Sequence, residues 1–129
     1  EIASVGLYEN DLRDRGIDFR VFEKQFKDND RAICDSATAG FVRVRVAAKT
    51  DKILGCSIIG EGAANMISEV TMAMQSGTGM QSLASVIHPY PTTAESVRQT
   101  GDMYNKTRLT PTVKRILRGA LNVQFGRGK

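Results

Sequence analysis

The chain has 129 residues, which suffices for one domain with a single hydrophobic core. Hydrophobic residues make up 41% and charged residues 25%, and these values exclude disordered, collagen-like and fibrous proteins. The formal net charge is +4, and no apolar run approaches the roughly 20 residues that span a bilayer. The first residues contain neither an initiator Met nor the basic-then-apolar pattern of a signal peptide, so we expect a piece of a longer protein.

Four short segments with apolar or alternating residues predict β-strands. They are residues 2–6, 18–22, 40–46 and 53–59. The last two are separated by a short polar turn that contains Asp51, so they are expected to form an antiparallel hairpin. A helix is predicted over residues 8–16, where Gly16 suits a left-handed cap. Residues 24–31 are predicted to be polar and rich in turns.

From Glu61 the apolar period changes to that of a helix, which is expected to end near Gly77. Further apolar residues widen its apolar surface, so we expect burial on more than one side, by the sheet or by another subunit. These residues are Ala64, Met66, Met72 and Ala73. Shorter helices are predicted over residues 80–84, from a Thr92 or Thr93 cap to about residue 104, and from Pro111. The predicted fold class is α+β, an antiparallel sheet covered by helices.

The positive charge is concentrated at the C-terminal end. Residues 103–129 contain seven basic side chains and no acidic one, whereas the preceding 102 residues hold 11 basic and 14 acidic side chains. Such a tail suits an anionic partner, or it is the solvated face of a last helix. Because Tyr104 and Phe125 do not alternate with basic residues, we expect no nucleic-acid binding. Membrane binding is also not expected.

Few side chains in this sequence suit metal or redox chemistry. Cys34 and Cys56 lack the close spacing of a redox pair or a zinc site, and His88 is the only histidine. Cys56 lies in an apolar run and is predicted to be buried, while Cys34 is predicted to be partly exposed. We therefore expect no metal site in this chain.

The glycine motifs of this sequence are incomplete. The Gly60-Glu61-Gly62 segment lacks the third glycine of a dinucleotide fingerprint, and the sequence contains no GxxxxGK[ST] phosphate loop and no GxSxG elbow. We expect that this chain alone binds no cofactor and holds no complete active site.

Residues 87–95 carry the densest chemistry in the sequence. The His88–Pro89 and Tyr90–Pro91 bonds each have a raised chance of being cis. Glu95 follows in the first turn of the next predicted helix, from where its carboxylate can reach an earlier side chain. A rigid loop that leads into a helix explains the same residues without any catalysis.

Several sequence phrases occur together in a fixed order. They are IASVGL at residues 2–7, GFVRV at 40–44, TDKILG at 50–55, IIG at 58–60 with the helix after it, and residues 87–95. Together they resemble the C-terminal dimerisation domain of the pyridine nucleotide–disulfide oxidoreductases, over residues 1–103. Residues 104–129 form a basic helical extension that is similar to those of mercuric-reductase-like members.

This resemblance implies a homodimer whose FAD-binding and NAD(P)-binding domains precede residue 1. In the family, a HisProxxxGlu loop reaches the flavin and disulfide of the other subunit, where the His acts as acid–base and the Glu holds it. The isolated chain is then expected to be inactive. A cytoplasmic location is expected, with an organelle as the alternative.

Aligned on Glu95, Tyr90 falls at the position of the catalytic histidine, and His88 lies two residues earlier. The resemblance therefore implies Tyr90 and Glu95 as catalytic residues, with His88 as the weaker candidate, and Tyr90 and Pro91 as contacts to the partner's FAD. The pKa of a phenol is about 10 and that of an imidazole about 6.5, so Tyr90 is expected to be a poor base at neutral pH. Ordinary disulfide reduction by the His–Glu route of the family is therefore in question. Mercuric reductases resemble this chain in carrying Tyr here, but this tail lacks their cysteine pair, which leaves the substrate open.

A second hypothesis needs no catalysis. The chain is then a self-association or interaction module whose basic amphipathic tail binds a membrane or a protein partner.

Overall fold

The computed structural model describes the backbone of residues 1–125 and the side chains of residues 1–119. It contains a four-stranded antiparallel sheet in the order β1-β4-β3-β2. The strands are β1 (Ile2–Gly6), β2 (Phe19–Gln25), β3 (Phe41–Ala47) and β4 (Ile53–Ile59). All four predicted strands and the β3–β4 hairpin are confirmed, although β2 extends further than predicted, to Gln25.

The alternating sequence of β3 gives the sheet two different faces. Val42, Val44 and Val46 are completely buried and point into the core. Arg43 and Arg45 lie on the opposite face. There the guanidinium of Arg45 donates to the hydroxyl of Ser57 at 3.0 Å, and Arg43 pairs with Glu9 of α1 (Glu9–Asp14) at 3.6 Å.

Helices cover the apolar face of the sheet. Helix α3 (Ala63–Gln75) packs on β1 and β4, α5 (Glu95–Arg108) packs on β2 and β3, and α4 (Met80–Ser85) packs along α5. The predicted α+β class, an antiparallel sheet covered by helices, is therefore confirmed. The sheet buries Val70 of α3, but Met72 of the same helix is 66% exposed, so α3 is not buried on all its apolar sides within this chain.

The segment between β2 and β3 is more regular than predicted. It contains a single 3-10 turn (Phe26–Asp28) followed by helix α2 (Asp30–Cys34). Asn29 caps α2, because its side-chain oxygen accepts from the backbone N–H of Ala32 at 3.0 Å. A helix of five residues is too short to show a hydrophobic period, so the sequence predicts only turns in this segment. Cys34 is exposed and Cys56 is buried, as predicted.

Two predicted helix starts have different outcomes. The prediction of a threonine cap for α5 is wrong: Ala94 holds the cap position, and the Thr92 hydroxyl donates to the carbonyl of Pro89 instead. Helix α6 (Pro111–Phe125) begins as predicted, with the Val113 N–H donating to the hydroxyl of Thr110. Within the described residues, no helix is long and apolar enough to cross a membrane. Residues 126–129, the end of the predicted basic extension, lie outside the described residues.

Candidate functional site

The loop of residues 86–94 joins α4 to α5, and two of its large side chains project outward. Ile87 is 93% exposed and Tyr90 is 70% exposed. Of the two proline bonds in this loop, Tyr90–Pro91 is cis. The hydrogen bond from Thr92 to the Pro89 carbonyl, at 2.8 Å, closes the turn around this bond. An exposed aromatic side chain on such a closed turn is presented to whatever lies outside this domain.

The hydroxyl of Tyr90 is held by a carboxylate from another element. It donates to Oδ2 of Asp30, the first residue of α2, at 2.7 Å. This hydrogen bond and the negative charge of Asp30 raise the pKa of Tyr90 above its ordinary value, because both favour the protonated phenol. Glu95 and Cys34, one turn along α2, act in the same direction. At neutral pH Tyr90 is therefore a phenol and not a base.

Asn29 holds the other end of the same loop from inside the protein. Its side chain is buried, and its Nδ2 donates to the carbonyl of Thr92 at 3.2 Å and to the hydroxyl of Ser96 at 3.0 Å. Because the Oδ1 of Asn29 also caps α2, this one side chain fixes α2, the loop and the start of α5 relative to one another. Asp30 and Tyr90 are thereby brought together.

Glu95 is engaged elsewhere and not with Tyr90. Its carboxylate accepts from Arg98 at 2.8 Å, and Arg98 also donates to Asp102 at 2.6 Å, so the three charges form a row along α5. Within the described side chains, Glu95 makes no hydrogen bond to Tyr90 or His88. It does line an open cleft of about 350 Å³ together with Arg98 and His88.

His88 is a contact between the loop and α3. Its Nε2 lies 2.9 Å from Oε2 of Glu69, and its Nδ1 lies 3.2 Å from the carbonyl of Val86. The imidazole is only 7% exposed. With its Nε2 facing Glu69 and its ring little exposed, His88 is placed to hold the loop against α3 and not to meet an external reactant.

Sequence reasoning missed three residues of this arrangement, Asn29, Asp30 and Glu69. The preference of Asn for helix N-caps was a usable signal for Asn29, because the following residues form a helix. No local signal joins Asp30 to Tyr90, since 60 positions separate them. Glu69 is likewise 19 positions from His88 and lies on another element.

The comparison with protein-family models decides the family. The model described as "Pyridine nucleotide-disulphide oxidoreductase, dimerisation domain" matches residues 1–100. The chain belongs to this family. The matched region ends within α5 and contains the whole sheet, α3 and the loop with Tyr90.

Curated relatives and solved structures of similar sequence or fold agree with this family. The chain is 38% identical over 99 residues to mitochondrial dihydrolipoyl dehydrogenase of Caenorhabditis elegans and 37% identical to that of Sus scrofa. In both cases the match covers 77% of this chain, and it covers 20% and 19% of those proteins. The chain thus spans about a fifth of the length of the relatives it matches.

Two structural neighbours show the same fold. The copper(II) complex of the HOCl-induced flavoprotein disulfide reductase RclA from Escherichia coli has a TM-score of 0.75 and 27% identity, over 79% of this chain and 23% of that one. LpdA from Mycobacterium tuberculosis also has a TM-score of 0.75, at 21% identity, over 80% of this chain and 22% of that one.

The start of α3 is occupied by a side chain of the same domain. A pyrophosphate binds at a helix N-terminus through free backbone N–H groups. At the start of α3, which follows the Gly60-Glu61-Gly62 turn, the Ala64 N–H instead donates to the carboxylate of Glu1 at 3.0 Å. The start of α3, as the structure describes it, therefore does not fit a pyrophosphate. Among the described residues, no cluster of three His, Cys, Asp or Glu side chains is suited to a metal ion.

Proposed function

We propose that this dimerisation domain belongs to an FAD-dependent NAD(P)H oxidoreductase and supplies its Tyr90 loop in trans to the partner subunit. The observation that carries this proposal is the exposure of Tyr90 together with the fixed position of its hydroxyl. An aromatic side chain that is 70% exposed yet held at its polar end is prepared for a contact outside its own domain. The flavin and the nicotinamide would be held by other domains.

The hydroxyl of Tyr90 has one proton, which it uses in the hydrogen bond that it donates to Asp30. The oxygen therefore presents its lone pairs to the partner, where it can accept a hydrogen bond from a thiol or approach a thiol-bound substrate. Because the raised pKa disfavours the phenolate, we assign Tyr90 a role in placing the sulfur and not in removing its proton. Pro91, next to it on the same turn, would contact the partner's FAD.

Glu95 has a supporting role in this proposal. Its carboxylate accepts a hydrogen bond from Arg98 at the start of α5, and it lines the cleft beside the loop. Glu95 also contributes negative charge that keeps Tyr90 protonated. His88, held by Glu69, would keep the loop against α3 during catalysis.

The surface beside the loop supports self-association. Met72 of α3 is 66% exposed, and Val86 and Ile87 of the loop are 42% and 93% exposed. Met72 and Val86 border a mainly apolar cleft of about 400 Å³ between α3 and the segment after α4. Exposed large apolar residues that adjoin one another mark an interaction surface. We propose that a second copy of this domain covers it.

Sedimentation velocity of the 129-residue chain over a range of concentrations tests the dimer. We expect association that is weakened by Met72→Asp, since a carboxylate would lose its hydration in an apolar interface. Val21→Asp is the matched control, because Val21 is also exposed, at 40%, but lies on β2. A monomer at all concentrations, or equal effects of the two variants, would contradict the interface.

The role of Tyr90 is tested in the complete flavoprotein that carries this domain. Tyr90→Phe removes the hydroxyl and is expected to slow turnover of the thiol or disulfide substrate by about tenfold or more. Reduction of the flavin by NAD(P)H should continue at the parent rate, because the loop serves the other half-reaction. Tyr8→Phe is the control. Tyr8 is also exposed, at 52%, but its ring contacts the guanidinium of Arg45 on the other face of the sheet. Equal turnover of Tyr90→Phe and the parent would remove Tyr90 from the chemistry.

The compartment and the domain division remain predictions of the sequence. We propose the cytoplasm, while the mitochondrial dehydrogenases among the relatives make an organelle the alternative; cell fractionation decides between them. We also propose that the family core ends near residue 103. Because α5 continues to Arg108, the extension of residues 104–129 would begin within this helix.

A second candidate function rests on α6. Three of its apolar side chains, Val113, Ile116 and Leu117, are 38%, 65% and 49% exposed. The same part of α6 carries the exposed basic residues Lys114, Arg115 and Arg118. We propose anionic lipid as the partner that matches both the apolar and the basic side. Co-sedimentation with vesicles that contain phosphatidylserine, at low salt, tests this; Ile116→Asp should abolish binding, and an absence of binding by the parent chain would exclude it.

A further inference from the structure

We propose that Asp30 is the positioning residue of Tyr90, so that the carboxylate partner of this loop comes from α2 and not from Glu95. The inference rests on the proposed function, because it says how the Tyr90 loop is prepared for the partner subunit. It concerns a residue that lies outside the loop and 60 positions earlier in the chain.

The geometry of the pair is that of a directed hydrogen bond. The distance of 2.7 Å between the Tyr90 hydroxyl and Oδ2 of Asp30 is typical of a hydroxyl that donates to an ionised carboxylate. The ring and both hydroxyl lone pairs are left free by this bond. Asp30 thus sets where the oxygen lies without covering it, and Tyr90 stays 70% exposed.

The backbone on each side of the pair is fixed from within the protein. Asn29, directly before Asp30, is 1% exposed and donates to the carbonyl of Thr92, two residues after Tyr90. The same side chain caps α2 through the Ala32 N–H. These hydrogen bonds of Asn29 fix the backbone next to Asp30 and the backbone next to Tyr90, and so limit the positions that the two side chains can take. The hydroxyl is therefore positioned by a rigid scaffold and not by chance contact between two surface side chains.

The competing partner is already satisfied. Glu95 accepts from Arg98, which also pairs with Asp102, so the carboxylate of Glu95 is engaged along α5. To reach Tyr90, Glu95 would have to leave this pairing. Asp30, by contrast, accepts from Tyr90 and, among the described residues, forms no ion pair. The charged and titratable groups that act on Tyr90 are Asp30, Glu95 and Cys34, and all three raise its pKa.

This arrangement restricts which chemical groups the hydroxyl of Tyr90 can meet in the partner subunit. Because its O–H donates a hydrogen bond to Asp30, Tyr90 presents an oxygen that accepts hydrogen bonds, so the group it meets in the partner subunit must carry a proton or a positive centre. A protonated thiol and a thiol-bound metal ion meet this condition. A bare thiolate does not, because it would face an oxygen lone pair without a proton between them.

The first test uses the 129-residue chain with ¹³C-labelled tyrosine rings, whose NMR shifts report ionisation. Tyr90→Phe assigns the signal of Tyr90. We expect Asp30→Asn to lower the pKa of Tyr90 towards the ordinary value near about 10, and Asp30→Glu, which restores the charge, to move it part of the way back. Asp35→Asn is the matched control, because Asp35 follows α2 and pairs with Arg31 instead. An identical titration of Tyr90 in the parent and in Asp30→Asn would overturn the proposal.

The second test uses the complete flavoprotein. If Asp30 acts through Tyr90, Asp30→Asn slows substrate turnover in the parent but adds no further loss in the Tyr90→Phe background. An additional loss of the same factor in both backgrounds would overturn the positioning role. If Tyr90→Phe alone leaves turnover unchanged, the proposed function fails, and the NMR titration still decides whether Asp30 holds the hydroxyl. The two failures are thus distinguishable.

Discussion

Asn29 and Ser96 are joined inside the protein, where the Asn29 Nδ2 donates to the Ser96 hydroxyl at 3.0 Å. Both side chains are buried, at 1% and 0% exposure. Ser96 lies in the first turn of α5, and Asn29 directly precedes α2. This contact therefore connects the segment that carries Asp30 with the helix that follows the Tyr90 loop.

Replacing Asn29 tests how much this connection contributes. Asn29→Ala leaves the Ala32 N–H without its cap and the Ser96 hydroxyl and Thr92 carbonyl without their donor. Loss of a cap and of buried partners predicts a decrease of about 2–4 kcal/mol in the free energy of unfolding. Urea denaturation measures it. Asn10→Ala is the control, because Asn10 is exposed and its side chain accepts from the neighbouring Arg13 on the surface of α1. A similar loss in both variants would contradict the role of Asn29.

A close contact between α4 and α5 positions the loop from its other end. A Cβ atom added at Gly101 would lie 2.8–2.9 Å from the backbone N, Cα and Cβ of Ala84. Although Ala favours helices over Gly, Gly101→Ala must push α4 away from α5, so we expect a loss of about 1–3 kcal/mol in stability. Gly119→Ala in α6 is the matched substitution, because none of the described neighbours lies within 4 Å of the added atom.

Thermal and urea unfolding of the two glycine variants separates helix propensity from packing. Gly119→Ala should be neutral or stabilising by up to about 1 kcal/mol, since only propensity changes. If Gly101→Ala is as stable as the parent, α4 and α5 are not tightly packed at this point, and the loop between them is less constrained than its contacts indicate.

How far the sequence predicts this structure differs between the fold and the site. The strands follow from alternation that one face of a sheet imposes, as in Val42, Val44 and Val46, and the loop is evident from its prolines and charges. The pairing of Glu95 with Arg98 is local, at a spacing of three in a helix, and is open to prediction. The Asp30–Tyr90 contact depends on tertiary packing that places two distant segments together, and no local rule specifies it.

Burial of the Cys56 thiol should make the protein less stable at alkaline pH. Its burial raises the pKa of the thiol from about 9 to about 12, with a smaller opposing effect of Arg45. Below pH 9 the thiol is protonated in both states and contributes nothing to the pH dependence. Above this value the unfolded chain releases the proton while the folded chain keeps it, so stability falls as the pH rises towards 12.

The measurement compares urea unfolding at about pH 8 and about pH 10.5. Between these values the free energy of unfolding should decrease by about 2 kcal/mol more in the parent than in Cys56→Ala. Cys34→Ala is the control, because Cys34 is exposed and its substitution should leave the parent's pH dependence in place. If Cys56→Ala loses as much stability as the parent over this range, burial of the thiol is not the cause.

The contact between His88 and Glu69 should contribute measurable coupling between the loop and α3. The two side chains lie 2.9 Å apart at 7% and 28% exposure, and the other carboxylate oxygen of Glu69 is buried without a hydrogen bond among the described residues. A double-mutant cycle of His88→Ala and Glu69→Ala is expected to give about 1 kcal/mol of coupling. The cycle of His88→Ala with Glu61→Ala should give almost none, since Glu61 is exposed and precedes α3.

This coupling also bears on self-association. Met72 lies one turn of α3 after Glu69, and both border the apolar cleft together with His88. If a second copy covers that cleft, His88→Ala should lower both the affinity of the dimer and the free energy of unfolding of the monomer, because the loop would no longer be held against α3. Loss of monomer stability with an unchanged dimer dissociation constant would mean that His88 supports the fold alone and that the interface lies elsewhere.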